Sequence, residues 1–416
     1  MTMPAQSILV VGAGFAGATY ARTLAEAGLT VHVIDRRDHV AGNAADAVDA
    51  NGIRVHRYGP HLFHTNMDHV VEWLRRFGEW IPYRHRVRAR LHDGRLVPLP
   101  VNRDTINAVF SENLRTEAEV AAFLRKLSAR IARPRNAGEY LRSHIGDVLT
   151  DLFFRPYTKK MWGLELEDLD ASVIKRLPIR LDPTDGYFPD DRHQYLPRDG
   201  YTSVVQQILR HPAITVATGT PFIPGMERDY DYCFNSMAID EFFGCCLGEL
   251  PYRSLRFHHH SVTEWDALPW SVRNYTDDGP LTRETWWHCL PGHLVEDTGR
   301  RTMTAEQPCD YRDNGFERYY PVRTADQRYQ KLYRDYRALA EQLPGMAFIG
   351  RCGTYQYLDV DQVINQSLAG ARRWLQDAAA LAFFLFAIMI QDNPLIVSTC
   401  QDTRSPPWRL SRHKSH

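Results

Sequence analysis

The pattern of apolar positions at the start of the chain predicts a β-α-β unit. The run "ILVVG" (8–12) is short, apolar and ends in glycine, and "ATYARTLAEAGLT" carries apolar residues at helical spacing up to a glycine stop. "VHVID" (31–35) is the next predicted strand. A strand, a helix and a strand in this order are typical of a nucleotide-binding fold.

Farther along, helical blocks and strands follow each other. "NMDHVVEWLRRFGEW" (66–80) has apolar residues on one helical face, and "YRHRVRARLHDGRLVPLP" (83–100) alternates around Asp93-Gly94, which predicts a β-hairpin. Residues 103–180 have a mainly helical pattern. From residue 195 the α/β pattern returns, with "SLRFHHHSVTE" and "ETWWHCL" as a sheet region. We therefore predict a helical domain inserted into a nucleotide-binding fold.

Composition and charge exclude some partners. Lys plus Arg and Asp plus Glu are both 50 among 416 residues, which gives no reason to expect nucleic acid. Seven cysteines with no CxxC pair favour a reduced, cytoplasmic protein. The first strand begins within a few residues, so we expect no secretion signal. The apolar run 378–390 is shorter than the ~20 residues of a membrane span, and we expect none.

The loop after the first strand is a G-x-G-x-x-G motif. Gly12 permits a tight turn, Gly14 lets the backbone approach a pyrophosphate, and Gly17 lets the helix pack on the strand. Phosphate would lie at a helix N-terminus, where free N–H groups favour negative charge. Asp35 follows about 20 residues on, where a carboxylate accepts ribose hydroxyls. The loop predicts an adenine dinucleotide but does not separate NAD from FAD.

Three histidines lie close together in "RVHRYGPHLFHTN" (54–66), at positions 56, 61 and 64. No cysteine or carboxylate is near enough in sequence to complete a familiar ligand set, so we expect no metal. A catalytic histidine, the wall of a cofactor pocket and a structural cap on the next helix stay open as interpretations.

A set of further motifs extends along most of the chain. They are "RRDHVAGNA" (36–44), "YGPHLFHTN" (58–66), "YTKKMWG" (157–163), "VIKRLPIR" (173–180), "YRSLRF" (252–257), "YYPV" (319–322) and "GRCGTYQYLDVDQVI" (350–364). These motifs follow the same order as in the UDP-galactopyranose mutase family, which the chain resembles from about residue 7 to about residue 375.

The resemblance implies an enzyme that binds FAD and that is active when the FAD is reduced. The family interconverts a nucleotide-linked hexopyranose and hexofuranose with no net redox change. N5 of the reduced flavin attacks the anomeric carbon and expels the nucleotide diphosphate, and the sugar ring recloses through a different oxygen. The implied partner is a nucleotide sugar, UDP-galactopyranose or a related one. Bacterial members are commonly homodimers, so a homodimer is a candidate assembly.

The implied fold class is α/β: a Rossmann-like FAD-binding domain with an inserted helical domain and a mixed or antiparallel sheet domain. The FAD-binding domain would take residues 1–80 and 326–376, and 181–240 would return to it and to the sheet domain. The sheet domain would take the hairpin 81–100 and the substrate region 241–325. The helical domain would be 101–180, and the tail 377–416 lies outside the resemblance.

Diphosphate as a leaving group requires arginine forks and neutral hydroxyl donors. By the resemblance, Arg176 and Arg283 match the two arginines that act on the diphosphate, and Tyr320 and Tyr357 match two phosphate-binding tyrosines. The other implied substrate contacts are Tyr157, Trp162, Phe154, Tyr187 and Arg253.

The resemblance also places the histidine loop against the flavin. His64 would approach the carbonyl edge of the isoalloxazine and His61 would lie in a mobile loop, so both join the predicted catalytic residues. The implied cofactor contacts are Gly12, Gly14, Phe15, Ala16, Gly17, Asp35, Arg36, Gly42, Asn43, His61, His64, Arg351, Tyr357, Leu358 and Asp359.

The chain departs from the family around the sugar. "FNSMAIDEFF" (234–243) replaces a "TGP(I/L)D" turn, "PLTRE" replaces "PYTRI", and the glutamate and histidine expected next are changed or shifted in "TWWHCL". "YRHRV" stands where the family often has an asparagine, and Glu306 matches a later family glutamate. We therefore hypothesise an altered sugar, such as an N-acetyl or 6-deoxy nucleotide sugar.

Two other functions stay open. One is an FAD oxidoreductase of the amine-oxidase type. The other is a non-catalytic homologue that binds flavin or nucleotide sugar, which the changed turn 235–240 and the atypical tail 377–416 favour. Whether the changed regions 235–240 and 282–288 preserve activity is open at this point.

Overall fold

The structure is a computed structural model that describes residues 6–175, 179–265 and 268–391, with side chains as far as residue 378. Its strands are β1 Ser7–Val11, β2 Thr30–Ile34, β3 Asp46–Val48, β4 Arg54–His56, β5 Phe63–Thr65, β6 Trp80–Pro82, β7 Val87–Arg90, β8 Leu96–Leu99, β9 His193–Pro197, β10 Ile214–Ala217, β11 Tyr232–Asn235, β12 Tyr252–Val262, β13 Val272–Tyr275, β14 Arg283–Trp286, β15 Arg301–Asp310, β16 Tyr320–Pro321 and β17 Met346–Phe348. Its helices are α1 Phe15–Glu26, α2 Asp68–Arg75, α3 Arg103–Phe110, α4 Glu117–Leu127, α5 Ala137–Leu149, α6 Arg155–Trp162, α7 Gly200–Leu209, α8 Ile239–Phe242, α9 Arg328–Ala340, α10 Gly350–Gly353 and α11 Val360–Gln391.

A parallel sheet carries the nucleotide-binding unit. Its strand order is β10-β2-β1-β11-β17, and every pair is parallel. In β1, Ile8, Leu9 and Val10 are fully buried, which is typical of a central strand in such a sheet. The β-α-β prediction is confirmed by β1, α1 and β2, and with it the α/β fold class.

A mixed sheet of order β16-β12-β15-β14-β13-β7-β8 forms the second layer. The predicted hairpin is confirmed as β7 and β8, which pair antiparallel across the Asp93-Gly94 turn. Strand β13 runs parallel to β7, and the other pairs are antiparallel. Register places Arg283 of β14 opposite Glu306 of β15. The sheet thus brings together two charged residues from separate parts of the chain.

The helices α3 to α6 lie between β8 and β9 and share an apolar core that includes Ile106, Val120 and Ile145. Side chains cap three of these helices at their starts, since Asn102, Thr116 and Asn136 each accept a backbone N–H two or three residues into the helix. A π-helical turn, Thr150–Phe154, joins α5 to α6. The predicted helical block is therefore present, whereas the domain boundaries stay predictions.

Three predicted elements end earlier than expected. The helix predicted over 66–80 stops at Arg75. Trp80 belongs instead to strand β6 and pairs with Pro197 of β9, because pairing with this distant strand outweighs the local helical pattern. In the mainly helical block predicted over 103–180, the last α-helix ends at Trp162, since Gly163 takes φ +66°, and a 3-10 turn, Ala171–Val173, follows. The strand predicted in "ETWWHCL" becomes a 3-10 turn after Trp286.

The chain divides into two units between Ser367 and Leu368. In the second unit, the described residues continue α11 to Gln391. The side chains from residue 379 onward lie outside the described part, as does the tail 392–416, for which the lack of periodicity predicts disorder. Over the described ranges, no helix is long and apolar enough to cross a membrane.

Candidate functional site

Two adjoining cavities, of about 520 Å³ and about 300 Å³, contain most of the predicted site residues. The smaller cavity lies at the carboxyl ends of the parallel strands, because Gly12, Asp35 and Ser236, which follow β1, β2 and β11, line it. Ligands commonly bind at this edge of a parallel sheet. His61 and Arg351 line both cavities, so the two spaces meet at these residues.

The glycine loop leaves the start of α1 open to the smaller cavity. Gly12 has φ +100°, and a Cβ there would lie 2.0 Å from Ser236 Oγ. A Cβ on Gly17 would lie 1.9 Å from the Gly12 carbonyl oxygen. Gly14 caps α1 without a side-chain hydrogen bond, and Phe15 and Ala16 line the cavity. The first N–H groups of α1 are therefore available to an anion.

Asp35 is hydrogen-bonded to this loop. Its Oδ2 accepts the Ala13 N–H at 2.7 Å and its Oδ1 accepts the Arg37 N–H at 2.9 Å. Carboxylate oxygens can accept further hydrogen bonds, so the predicted contact with a ribose is compatible with this geometry. Asp35 thereby links the glycine loop to the chain that follows β2.

The second glycine turn packs against the first. A Cβ on Gly42, which has φ +54°, would lie 3.2 Å from Gly14 Cα, whereas a Cβ on Gly14 would make an ordinary contact with Gly42 Cα at 3.7 Å. Asn43 accepts a hydrogen bond from Arg37 at 2.9 Å, and Arg36 pairs with Glu317 at 3.2 Å. The remaining predicted cofactor residue of this cavity is Leu358.

Arg283 is the central charge of the larger cavity. Its Nη2 donates to the Tyr157 hydroxyl at 2.5 Å, and its Nε lies 3.4 Å from Glu306 Oε2 without a hydrogen bond. Glu306 Oε1 also has no hydrogen-bond partner, and burial raises the pKa of this carboxyl although Arg283 opposes the shift. A half-buried guanidinium whose one hydrogen bond goes to Tyr157 keeps donors for an anionic ligand.

Tyrosines surround this arginine. Burial raises the pKa of Tyr157 and of Tyr320, so both hydroxyls stay protonated and can donate. Tyr320 stacks on Tyr357 with ring centroids 5.4 Å apart, and the Arg351 guanidinium lies 4.8 Å from the Tyr357 ring. Arg351 Nε donates to the Leu358 carbonyl at 2.6 Å. Asp359 lines the same cavity.

The predicted aromatic contacts come together on one wall. Phe154, Tyr157, Trp162 and Tyr187 all line the larger cavity. Trp162 meets Tyr320 edge to face, with ring centroids 6.2 Å apart. Aromatic faces of this kind suit a nucleobase or a sugar ring.

Arg253, a predicted substrate contact, lines neither of these two cavities. Its Nε donates to the Met161 carbonyl at 2.9 Å and its Nη2 to the Lys160 carbonyl at 3.1 Å. These carbonyls belong to the last turn of α6, where carbonyl groups have no hydrogen-bond partner within the helix. Arg253 therefore holds the helix that carries Tyr157 and Trp162.

The two loop histidines have different surroundings. His64 Nδ1 lies 2.6 Å from Asp191 Oδ2, and its ring stacks on Phe188 at 3.5 Å. His61 Nδ1 donates to the Gly59 carbonyl at 2.9 Å, and burial, with Arg351 nearby, lowers its pKa to about 4. Over the described part of the chain, no group of three or more His, Cys, Asp or Glu could hold a metal ion.

Sequence reasoning missed several cavity residues. Asp191 and Phe188 meet His64 across more than a hundred residues of sequence, and no local pattern signals that pairing. His85 lies in the "YRHRV" stretch that departs from the family, and burial lowers its pKa to about 3. Asn274 lines the cavity with an unpartnered Oδ1. The predicted catalytic Arg176 lies outside the described residues.

Comparison with known proteins finds two family models, UDP-galactopyranose mutase over 152–357 and NAD(P)-binding Rossmann-like domain over 10–77. A Klebsiella pneumoniae protein named as a probable UDP-galactopyranose mutase is 36% identical over 382 residues, 90% of this chain and 96% of its own length. The dTDP-fucopyranose mutase of Escherichia coli is 34% identical over 89% of this chain and 98% of its own length. The crystal structure of a reduced UDP-galactopyranose mutase shares the fold, with a TM-score of 0.72 at 17% identity over 89% of this chain and 96% of that one.

Proposed function

Because the chain belongs to the UDP-galactopyranose mutase family, and is an isomerase of that type, we propose that it interconverts the pyranose and furanose forms of a nucleotide-diphospho-hexose with FAD that is active when reduced. The two cavities that meet at His61 and Arg351 carry this proposal. One surrounds a dinucleotide loop and the other a half-buried arginine, Arg283, which suits a cofactor and a phosphorylated substrate that meet at one wall.

The smaller cavity fits FAD. Open N–H groups at the start of α1 favour its pyrophosphate, and the close approach of Gly14 and Gly42 leaves backbone rather than side chains along the loop. Asp35 and Arg36 line the cavity and are the proposed partners of the adenosine half. When bound and reduced, FAD supplies the nucleophile that displaces the diphosphate from the anomeric carbon.

The protein's own part is to hold the leaving diphosphate. Arg283 offers an unused N–H, and the protonated hydroxyls of Tyr157 and Tyr320 are neutral donors beside it. These groups stabilise negative charge as it develops on the departing phosphate oxygen. Arg176 is the proposed second arginine, and Tyr357 is the fifth group of the proposed set.

The histidine loop is the proposed contact between cofactor and sugar. His61 is neutral and its Nδ1–H is committed to Gly59, so its Nε2 can only accept a hydrogen bond. Asp191 holds His64 by Nδ1 and so directs the other ring nitrogen, Nε2, away from the carboxylate. Both rings can therefore orient a ligand without movement at the moment of reaction.

The sugar is proposed to differ from galactose. His85, a buried and neutral ring, stands where the family often has an asparagine, and the two relatives compared act, by their names, on UDP-galactopyranose and dTDP-fucopyranose. A site whose polar groups hydrogen-bond a sugar hydroxyl binds a sugar without that hydroxyl more weakly, because those polar groups then stay unpaired. A changed group at this wall therefore supports a 6-deoxy or N-acetyl nucleotide sugar.

A panel of nucleotide sugars tests this proposal. The reduced protein is incubated with UDP-galactopyranose, UDP-N-acetylgalactosamine and dTDP-fucopyranose, and the furanose products are separated by chromatography. We expect the highest kcat/KM on one of the last two. Conversion of UDP-galactopyranose alone, at about 1 s⁻¹ or faster, contradicts the altered sugar, and conversion of no nucleotide sugar contradicts the mutase.

A further inference from the structure

A buried chain of hydrogen bonds leads from His293 through His56 to the backbone of His61. His61 N–H donates to His56 Nδ1 at 3.0 Å, and His56 Nε2 lies 3.1 Å from His293 Nε2. His293 Nδ1 lies 3.1 Å from the Pro291 carbonyl oxygen. His56 and His293 are each only 1% exposed, and neither lines a cavity.

The partners fix where the hydrogens lie. A backbone N–H can only donate, so His56 Nδ1 must accept and its hydrogen is on Nε2. His56 Nε2 then donates to His293, whose Nε2 accepts and whose Nδ1–H donates to the Pro291 carbonyl. This arrangement requires both rings to be neutral, because a proton on His56 Nδ1 would face the His61 N–H.

The surroundings keep both rings neutral. Burial lowers the pKa of His56 well below its ordinary value, and the neighbouring His293 and His61 add to the shift. Burial lowers the pKa of His293 to about 4. Trp287 packs against both rings, with centroid distances of 4.9 Å to His56 and 6.2 Å to His293. The two imidazoles therefore form a rigid neutral pair rather than a site that changes charge.

We propose that His56 and His293 are positioning residues that hold the Gly59–His61 turn where the cofactor and substrate cavities meet. His61 reaches both cavities, and its own Nδ1–H closes the turn onto Gly59, which has φ +84°. With the amide of His61 fixed to His56, the imidazole of His61 has one orientation toward both ligands. The catalytic part of this inference rests on the proposed mutase function.

Two substitutions at one position separate the contacts of His56. Asparagine places its side-chain oxygen near the position of Nδ1, so His56→Asn keeps an acceptor for the His61 N–H and loses the link to His293. Glutamine places its amide near Nε2, so His56→Gln keeps a donor toward His293 and leaves the His61 N–H unpartnered. Each variant leaves one buried polar group unpaired, so their stabilities form a matched comparison.

Amide hydrogen exchange, read by mass spectrometry on the peptide that contains His61, tests the contact without turnover. We expect exchange about tenfold faster in His56→Gln than in the wild type, and within about threefold of the wild type in His56→Asn. In the reduced enzyme, kcat should fall more in His56→Gln than in His56→Asn, with a smaller change in KM. Thermal unfolding reports whether the two variants are equally destabilised.

Equal exchange and equal kcat in the two variants would mean a merely structural role and would overturn the proposal. If a His56 variant fails to fold, His293→Gln, which keeps an acceptor for His56, is compared with His293→Leu, which does not. Faster His61 exchange only in His293→Leu supports the proposal, and equal exchange in the two overturns it. If the wild type converts no nucleotide sugar, the mutase function fails while the exchange result still decides the role of His56.

Discussion

Arg283 keeps both a charge and free hydrogen-bonding capacity although its side chain is only about a quarter exposed. The neighbouring carboxylate of Glu306 balances the charge at 3.4 Å, too far and too poorly aligned to use the guanidinium N–H. Tyr157 takes one Nη2–H, which fixes the plane of the fork. An ion pair with perfect hydrogen bonds would compete with a phosphate, whereas this loose pair leaves donors for it.

Replacement of Arg283 should therefore weaken catalysis more than folding. We expect Arg283→Lys to lower kcat/KM on the order of 100-fold, because a lysine ammonium cannot reproduce the planar fork. Steady-state kinetics of the reduced enzyme measure this. Arg256→Lys on β12, an exposed arginine of the same sheet, is the control and should change kcat/KM less than about twofold. Similar kinetics in both variants would remove Arg283 from the diphosphate site.

At the scale of elements, α6 presents the aromatic wall of the larger cavity because three features hold it. Gly163 ends the helix, the π-helical turn begins it, and Arg253 from β12 binds its last carbonyls. The sheet and the helical region are thus joined at the residues that position Tyr157 and Trp162. These hydrogen bonds place Arg253 where it can position the cavity wall through this helix.

Arg253→Met tests the hydrogen bonds that join the sheet to α6. Loss of two hydrogen bonds to backbone carbonyls should lower the free energy of unfolding by about 2 kcal/mol. KM for the nucleotide sugar should rise several-fold with a smaller change in kcat, since the aromatic wall loosens while Arg283 remains. Denaturant unfolding and steady-state kinetics measure the two effects. A fall in kcat as large as that of Arg283→Lys would indicate that Arg253 contacts the substrate directly.

Local pattern predicted the elements whose partners are near in sequence. The β-α-β unit and the hairpin around Asp93-Gly94 follow from apolar periodicity and turn chemistry. Strand β6 and the pairing of His64 with Asp191 depend on segments more than a hundred residues away, and periodicity carries no information about them. Most residues that the resemblance supplied line the two cavities, but it could not show that Arg253 binds carbonyls.

Across the whole molecule, buried neutral histidines couple stability to pH. Burial lowers the pKa of His61 and His293 to about 4 and that of His85 to about 3, from an ordinary 6.5. The unfolded chain binds protons on these rings below pH 6.5, and the folded chain does not until pH falls near these lower values. Their contribution is therefore complete above pH 6.5 and is lost as pH falls toward 4.

Unfolding at two pH values measures this coupling. For one such histidine, the free energy of unfolding should fall by about 2 kcal/mol between pH 6.5 and 5.0. We expect the fall between pH 7.5 and pH 5.0 to be smaller by about this amount in His293→Gln than in the wild type. His260→Gln, an exposed ring on β12, is the control. An identical fall in His293→Gln and wild type would show that His293 is not held neutral by burial.

Anaerobic turnover of the oxidised and the dithionite-reduced protein tests most directly whether the proposed isomerisation is non-redox and needs reduced flavin. Flavin absorbance counts electrons while chromatography counts furanose formed from the best nucleotide sugar of the panel. We predict many turnovers per flavin in the reduced protein, with the flavin still reduced at the end, and none in the oxidised protein. Flavin reoxidation or reduction in step with product, or turnover by the oxidised protein alone, would contradict the account.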